Sequence, residues 1–292
     1  MIDPSAALNA LAAGILLGCF YAAVALGIAI AFGMLDIPNL AHPAFVVMGA
    51  FATWVLNSRL GVDPLLSGVL MVPPFFLLGL GLYRLYHVCF EKRGEQGLNG
   101  LAFFFGILFI TEISLVLVFG ADYRTVETSY IGGSLSVGPL TLPVRMLVPA
   151  GVSLVMILGL GRFLHRSFLG RAILAVSQDQ QALRLMGISP TRVKGLAFGM
   201  AIATASVAGS LLIIIQPVEP SIGRDFIGRA FAAVVLGGMG SFNGMLLASL
   251  ILGVAESFVS DMWDPSWAPA IAFGFLLPTL AFRSSGLLGR KL

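Results

Sequence analysis

Long apolar runs without a single charge dominate this chain. Residues 4–35, 37–58, 64–83, 146–161, 195–218, 230–255 and 265–282 contain no Asp, Glu, Lys or Arg. A helix needs about 20 apolar residues to cross the ~30 Å hydrocarbon layer. In lipid, only helices and closed barrels satisfy their backbone polar groups, and these runs lack the alternation of a barrel strand. The sequence therefore predicts an all-α, polytopic transmembrane bundle of about eight spans. Charged residues make up 11% of the 292 positions, against about 25% in a soluble domain. Residues 97–121 add a run broken only by Glu112, so no stretch between the runs reaches the ~50 residues of a small soluble domain, and residues 1–292 read as one transmembrane domain.

Composition excludes several classes. The net charge of +3 is scattered at the ends of the runs, which is no nucleic-acid footprint. Cys19 lies inside the first run and Cys89 in a basic gap, a poor basis for a disulfide framework. Leu16-Leu17-Gly18-Cys19 has the look of a lipoprotein cleavage box, but no Lys or Arg precedes it and the apolar run continues past it. It reads as a span. The three histidines, His42, His87 and His165, sit in separate gaps with no metalloprotease-type motif. No catalytic residue and no metal site is expected.

Charge asymmetry orients the chain. Arg84, Lys92 and Arg93 fill one gap, Arg162, Arg166, Arg171, Arg184, Arg192 and Lys194 a longer one, and Arg283, Arg290 and Lys291 the C-terminus. By the positive-inside rule these are cytoplasmic and the N-terminus, with Asp3, is external. Residues 195–218 then run outward and 265–282 inward. The stretch 226–259 must start and finish outside, which one helix cannot do. Gly237, Gly238, Gly240, Asn243 and Gly244 supply a break, predicting a short half-helix over 226–236 and a return over 242–258. Asp36, Pro38, Asn39, His42 and Pro43 interrupt the chain near its other end, before a short apolar segment, 44–56. Paired interruptions of this kind point to an internal repeat lining a solute path; two unrelated kinks are the plainer alternative.

Several single residues stand out. Glu112 is an acid near the middle of the run 97–121, with no basic partner evident within the membrane. Such a group lines the path, makes a structural hydrogen bond or couples protons. His42 either contacts solute or stitches the broken segment, and Asn39 and Asn243 are the path candidates at the two breaks. Gly195, Gly199 and Ala203 form a small-residue face for close packing inside the subunit. Arg224, Asp225 and Arg229 read as an external mouth or a solvated helix end. Trp54, Trp263, Trp267 and Tyr130 suit interfacial anchoring.

The polar gap around residues 164–193 is patterned. Ile173, Leu174 and Val176, then Ala182, Leu183, Leu185 and Met186, flank Ser177-Gln178-Asp179-Gln180-Gln181. Gly187 ends the pattern, and Ser189-Pro190 opens the next helix. A short amphipathic helix at a membrane face docks a partner or lies on lipid. The centre, free of Lys and Arg, favours a protein partner over lipid or an internal plug.

These residues together resemble one family. Asp36-Ile37-Pro38-Asn39-Leu40-Ala41-His42-Pro43-Ala44-Phe45, then Met48-Gly49-Ala50-Phe51, is similar to a signature near the second span of the permease subunits of ATP-binding-cassette importers for branched-chain (hydrophobic) amino acids. Pro43 stands where that family usually has glycine. Gln181-Ala182-Leu183-x3-Gly187 keeps the spacing of the wider Glu-Ala-Ala-x3-Gly coupling motif. Phe231-Ala232-Ala233-Val234-Val235-Leu236-Gly237-Gly238-Met239-Gly240-Ser241 resembles the late glycine-rich segment. The resemblance runs from about residue 8 to 288. It implies a non-catalytic subunit of a bacterial inner-membrane importer, with ATP and Mg bound by separate cytoplasmic ATPase subunits. A second permease, related but not identical, and an extracytoplasmic solute-binding protein would complete the assembly. The missing Gly-x4-Gly-Lys-[Ser/Thr] loop agrees. Asn39, His42, Glu112, Gly237, Gly238, Gly240 and Asn243 are the expected path residues. Asp179, Gln181, Ala182, Leu183 and Gly187 are the expected coupling residues. The same architecture serving urea, short amides or a sugar is the alternative within transport. An ion- or proton-coupled secondary carrier is the alternative outside it.

Overall fold

A computed structural model describes residues 4–94, 97–128, 130–138, 140–282 and 286–288. Among the described residues there are twelve α-helices: α1 Pro4–Ala31, α2 His42–Leu60, α3 Pro64–Leu70, α4 Val72–Cys89, α5 Leu98–Phe119, α6 Val144–Arg166, α7 Phe168–Val176, α8 Gln180–Leu185, α9 Pro190–Ile215, α10 Gly223–Gly237, α11 Phe242–Met262 and α12 Ala268–Phe282. Within the same residues, 7 helical stretches are long and apolar enough to cross a membrane. α2 is an eighth long helix, its apolar length diluted by His42, Asn57 and Arg59.

α1 and α9 form the core. Their apolar windows are 72% and 83% buried, against 17–39% for the other spans. Small residues make this possible. A Cβ on Gly14 would sit 2.5 Å from Val254 Cα and one on Gly18 2.7 Å from Leu250 Cα, so α1 and α11 cross backbone to backbone. On α9, Gly195 lies under Tyr83 and Gly199 under Phe76 of α4. The small-residue face therefore packs within the subunit, as the sequence predicts.

Side-chain contacts sort the helix ends. At one end Lys194, opening α9, meets Glu91 after α4; Lys92, Arg93, Arg166, Arg171, Arg184 and Arg192 belong to the connections there. At the other end Tyr130 donates to Asp63, the N-cap of α3, at 3.0 Å. Burial, then the Asp63 hydrogen bond, pushes the Tyr130 phenol up to about 12, so it remains a donor at physiological pH. A hairpin of β1 Ser134–Val137 and β2 Leu140–Pro143 also lies at this end, where Asn9 Oδ1 accepts from the Thr141 amide. Alternation of Leu135 and Ser136 opposite Leu142 and Thr141 explains this small strand pair. The C-terminal basic residues Arg283, Arg290 and Lys291, and Asp3, lie outside the described residues.

α10 and α11 form the out-and-back pair that the crossing count requires, but the glycine turn lies deeper than a half-helix implies. Ser257 donates to the Ala10 carbonyl, so α11 runs antiparallel to α1 and ends beside the start of α1. Its beginning then lies at the basic end, where Gly240 meets Gly33 just past α1. Leu287 and Leu288 donate there to Leu236 and Gly237 at 2.7 and 3.1 Å. The shortfall is instead at the start of α10. Gly223 rests on Pro43 and Val47, at the far end of α2 from Leu60. The link 216–222 thus dips into the bundle and holds Val218 fully buried, paired with Arg124.

Candidate functional site

The break between α1 and α2 is built on Asn39. Its Oδ1 accepts from the Ala41 amide at 3.1 Å, an Asx turn that starts α2, while Asp36 takes a positive φ of 55° to reverse the chain. Asn39 and His42 are fully buried. Asn39 Nδ2 has no hydrogen-bond partner among the described residues, while the His42 imidazole lies against Gly27 of α1 and faces the Val24 carbonyl. Asn39 thus ties the break locally, and His42 sits between α2 and α1. Unsatisfied buried polar atoms are uncommon, and Asn39 Nδ2 is one at this break.

The second break differs. Gly237 and Gly238 are buried, whereas Gly240 and Asn243 are exposed at the basic end. Gly238 and Gly240 take φ of 98° and 80°, a backbone that favours glycine. Asn39 and Asn243 thus occupy unlike settings, one enclosed and one open.

Glu112 has a partner after all. Arg224, in the first turn of α10, reaches it through Nε at 2.9 Å and Nη2 at 2.6 Å. The guanidinium also lies 5.4 Å from the Phe109 ring centre. Arg224 is 54% exposed while Glu112 is 10% exposed, so the pair lies at a rim. Sequence reasoning separated these residues because they stand 112 positions apart.

A deeper pair was missed altogether. Glu256 on α11 is 1% exposed, and it receives Arg229 Nε of α10 and the Tyr21 hydroxyl of α1. Glu256 directly follows a charge-free run, and that position next to an apolar face was the available signal. A third cluster joins α4 to α9. Glu91 accepts from Lys194 at 2.6 Å and Tyr83 at 2.8 Å and contacts His87 Nδ1 at 2.6 Å.

The polar gap folds as two short helices. Ser167 caps α7 through the Gly170 amide, and Ala172, Ile173 and Val176 are buried. Asp179 caps α8 by accepting from the Gln181 and Ala182 amides at 2.8 and 3.0 Å. Leu183 anchors α8 at 3% exposure, whereas Gln181 and Ala182 are exposed and Leu185 is 90% exposed. Gly187 has φ 78°, a Cβ added there would meet nothing within 4 Å, and Ile188 donates back to Leu183. A left-handed glycine thus stops α8 before α9, as the sequence predicts. Leu183 holds this element down while Leu185 and Met186 present an apolar tip at the basic end.

Two cavities stand out. One of about 250 Å³ is apolar, between Trp263, Trp267 and α12. Another of about 200 Å³ lies between α1 and the start of α10, and Arg229 is in its wall.

Residues 10–280 match the family described as branched-chain amino acid transport system, permease component. BraD of Pseudomonas aeruginosa, described as a high-affinity branched-chain amino acid transport system permease protein, is 29% identical over 97% of this chain and 96% of its own length. LivH of Escherichia coli K12, with the same description, is 28% identical over 95% of this chain and 94% of its own. LivM of E. coli K12, also so described, is 28% identical over 92% of this chain and 67% of its own. With its bundle of apolar helices and a match over nearly all of its length, the chain is a multi-pass membrane protein that belongs to the permease-component family of branched-chain amino acid transport systems.

Proposed function

We propose that the chain is one non-catalytic permease subunit of an ATP-driven importer, carrying branched-chain or other hydrophobic amino acids across a bacterial inner membrane. The observation that carries this is the α7–α8 element. It is anchored by Leu183, capped by Asp179, ended by Gly187 and tipped by exposed Leu185 and Met186. Exposed apolar side chains on a non-spanning helix pair whose centre lacks Lys and Arg call for a protein partner. A cytoplasmic ATPase, which binds ATP and Mg, fits that role. The positive-inside rule then orients the bundle, with α7–α8 cytoplasmic and the hairpin β1–β2 external. There, an extracytoplasmic binding protein would meet the bundle.

A second, related permease completes the path. E. coli K12 carries two different proteins described as permeases of such a system, and this chain aligns with both, which supports a non-identical pair. Arg224 and Asp225 are exposed although α10 starts inside the bundle. Exposed charge at that depth is costly against lipid and suits a watery seam between two permeases. Asn39, His42 and the glycine turn flank the same core helix α1 and are the path residues of this reading. Glu112 and Glu256 are each paired with an arginine.

Native expression with an affinity tag, followed by purification and subunit identification, tests the assignment. An ATP-binding subunit that cross-links to cysteine at position 185 is the expected result. Uptake by the isolated chain without ATP, or external labelling of that cysteine, overturns it.

A further inference from the structure

We propose, resting on the amino-acid reading of the transported solute, that the cavity between α1 and the start of α10 is a transient subsite for one zwitterionic α-amino acid with an apolar side chain. The cavity of about 200 Å³ is smaller than the ~300–1,000 Å³ pockets of drug-sized ligands, a size that suits a single amino acid. Its wall has two chemistries. Leu17, Phe20 and Ile222 supply an apolar side, and Gln216, Asp225 and Arg229 a polar one. An α-amino acid presents the matching set: hydrocarbon, ammonium and carboxylate.

Arg229 is partly spoken for. Its Nε faces Glu256 and its Nη1 donates to the Asp225 carbonyl, while Nη2 has no acceptor among the described residues. That edge is left for a solute carboxylate. The Asp225 carboxylate is exposed, one helical turn before Arg229, and shares the field of that guanidinium; it is the acid of this wall that can meet the ammonium. Gln216, at the end of α9, adds a neutral donor and acceptor. Two features keep the grip weak: Glu256 shares the arginine charge, and Asp225 is exposed in a high dielectric. A permeation site must bind well enough to admit solute and weakly enough to release it.

Photo-leucine, which carries a diazirine in its side chain, tests this on the full chain in lipid nanodiscs. Adducts are expected on α1 near Leu17 and Phe20 or on the first turns of α10. Excess L-leucine should suppress them at about tenfold lower concentration than 4-methylpentanoate or 3-methylbutylamine, which each lack one charge. Asp225→Asn should reduce labelling about tenfold, with an unchanged melting temperature showing that the variant is folded. Labelling spread over the outer face of α5, indifference to Asp225→Asn, or equal suppression by 4-methylpentanoate overturns the subsite. ATP-driven leucine uptake by the complete transporter is read separately. Uptake without cavity labelling overturns the subsite alone. A complex that imports no amino acid overturns the amino-acid reading, and the ligand class of the subsite with it.

Discussion

Arg229 holds Glu256 through a single Nε placed 3.0 and 3.1 Å from the two carboxylate oxygens, while Tyr21 donates to the same carboxylate at 2.5 Å. Helices α10, α11 and α1 thus meet at one enclosed charge. Removing one partner of a buried pair leaves the other unpaired, at a cost of about 3–5 kcal/mol. Glu256→Ala is expected to cost that much, whereas Tyr21→Phe, losing one hydrogen bond, costs about 1 kcal/mol. Thermal melting in detergent reads the difference. Equal, small losses in both variants would show that the triad does not tie these helices together.

The α1–α11 crossing makes a second prediction. At Gly18 a Cβ would meet the Leu250 backbone, 2.7 Å away, whereas Gly151 on α6 has nothing within 4 Å. Overpacking of a tight contact costs about 1–3 kcal/mol. Gly18→Val should therefore lower the melting temperature and open the bundle to protease, while Gly151→Val should leave both nearly unchanged. Indifference to Gly18→Val would mean that the two helices do not touch there.

Gly187 separates conformational strain from crowding. Its φ is 78° and a side chain there would meet open space. A bulky residue in left-handed backbone costs about 1–2 kcal/mol, small against the stability of the bundle. Gly187→Val should preserve membrane insertion and melting temperature yet reduce ATP-driven uptake severalfold, since the end of α8 shifts. Normal uptake by this variant would remove the lever role of the α8–α9 turn.

Leu183 and Leu185 are two positions apart and are expected to behave in opposite ways. Leu183→Asp buries a carboxylate under α8 and should release that helix, seen as rapid amide exchange across Gln180–Leu185. Leu185→Asp, at a site 90% exposed, should leave exchange unchanged and abolish copurification of the ATPase. Retention of the ATPase by Leu185→Asp would move the docking surface elsewhere.

Much of the chain was legible before its structure. Spans follow from uninterrupted apolar runs, because hydrocarbon tolerates no unpaired backbone group. The turn at Gly187 follows from glycine after an apolar helical stripe, and the closely packed face of Gly195 and Gly199 from their four-residue spacing. The partners of Glu112 and Glu256 did not show. Arg224 and Arg229 read as mouth residues because sequence has no coordinate for depth, and the dip of residues 216–222 is what carries them inward. The enclosure of His42 against Gly27 of α1 did not show either, because residues 28–41 separate the two in sequence.

Sequence alone determined that this protein is a helical membrane bundle with one basic end and a capped, glycine-terminated helix at that end. These properties are local, set by the solvent a run of residues can enter and the backbone a residue can adopt. Only the tertiary structure decided where the charges pair, how deep the glycine turn lies and which wall encloses the cavity beside Arg229. Those depend on residues such as Tyr21, Arg229 and Glu256, which no spacing rule connects and which meet only when α1, α10 and α11 pack against one another.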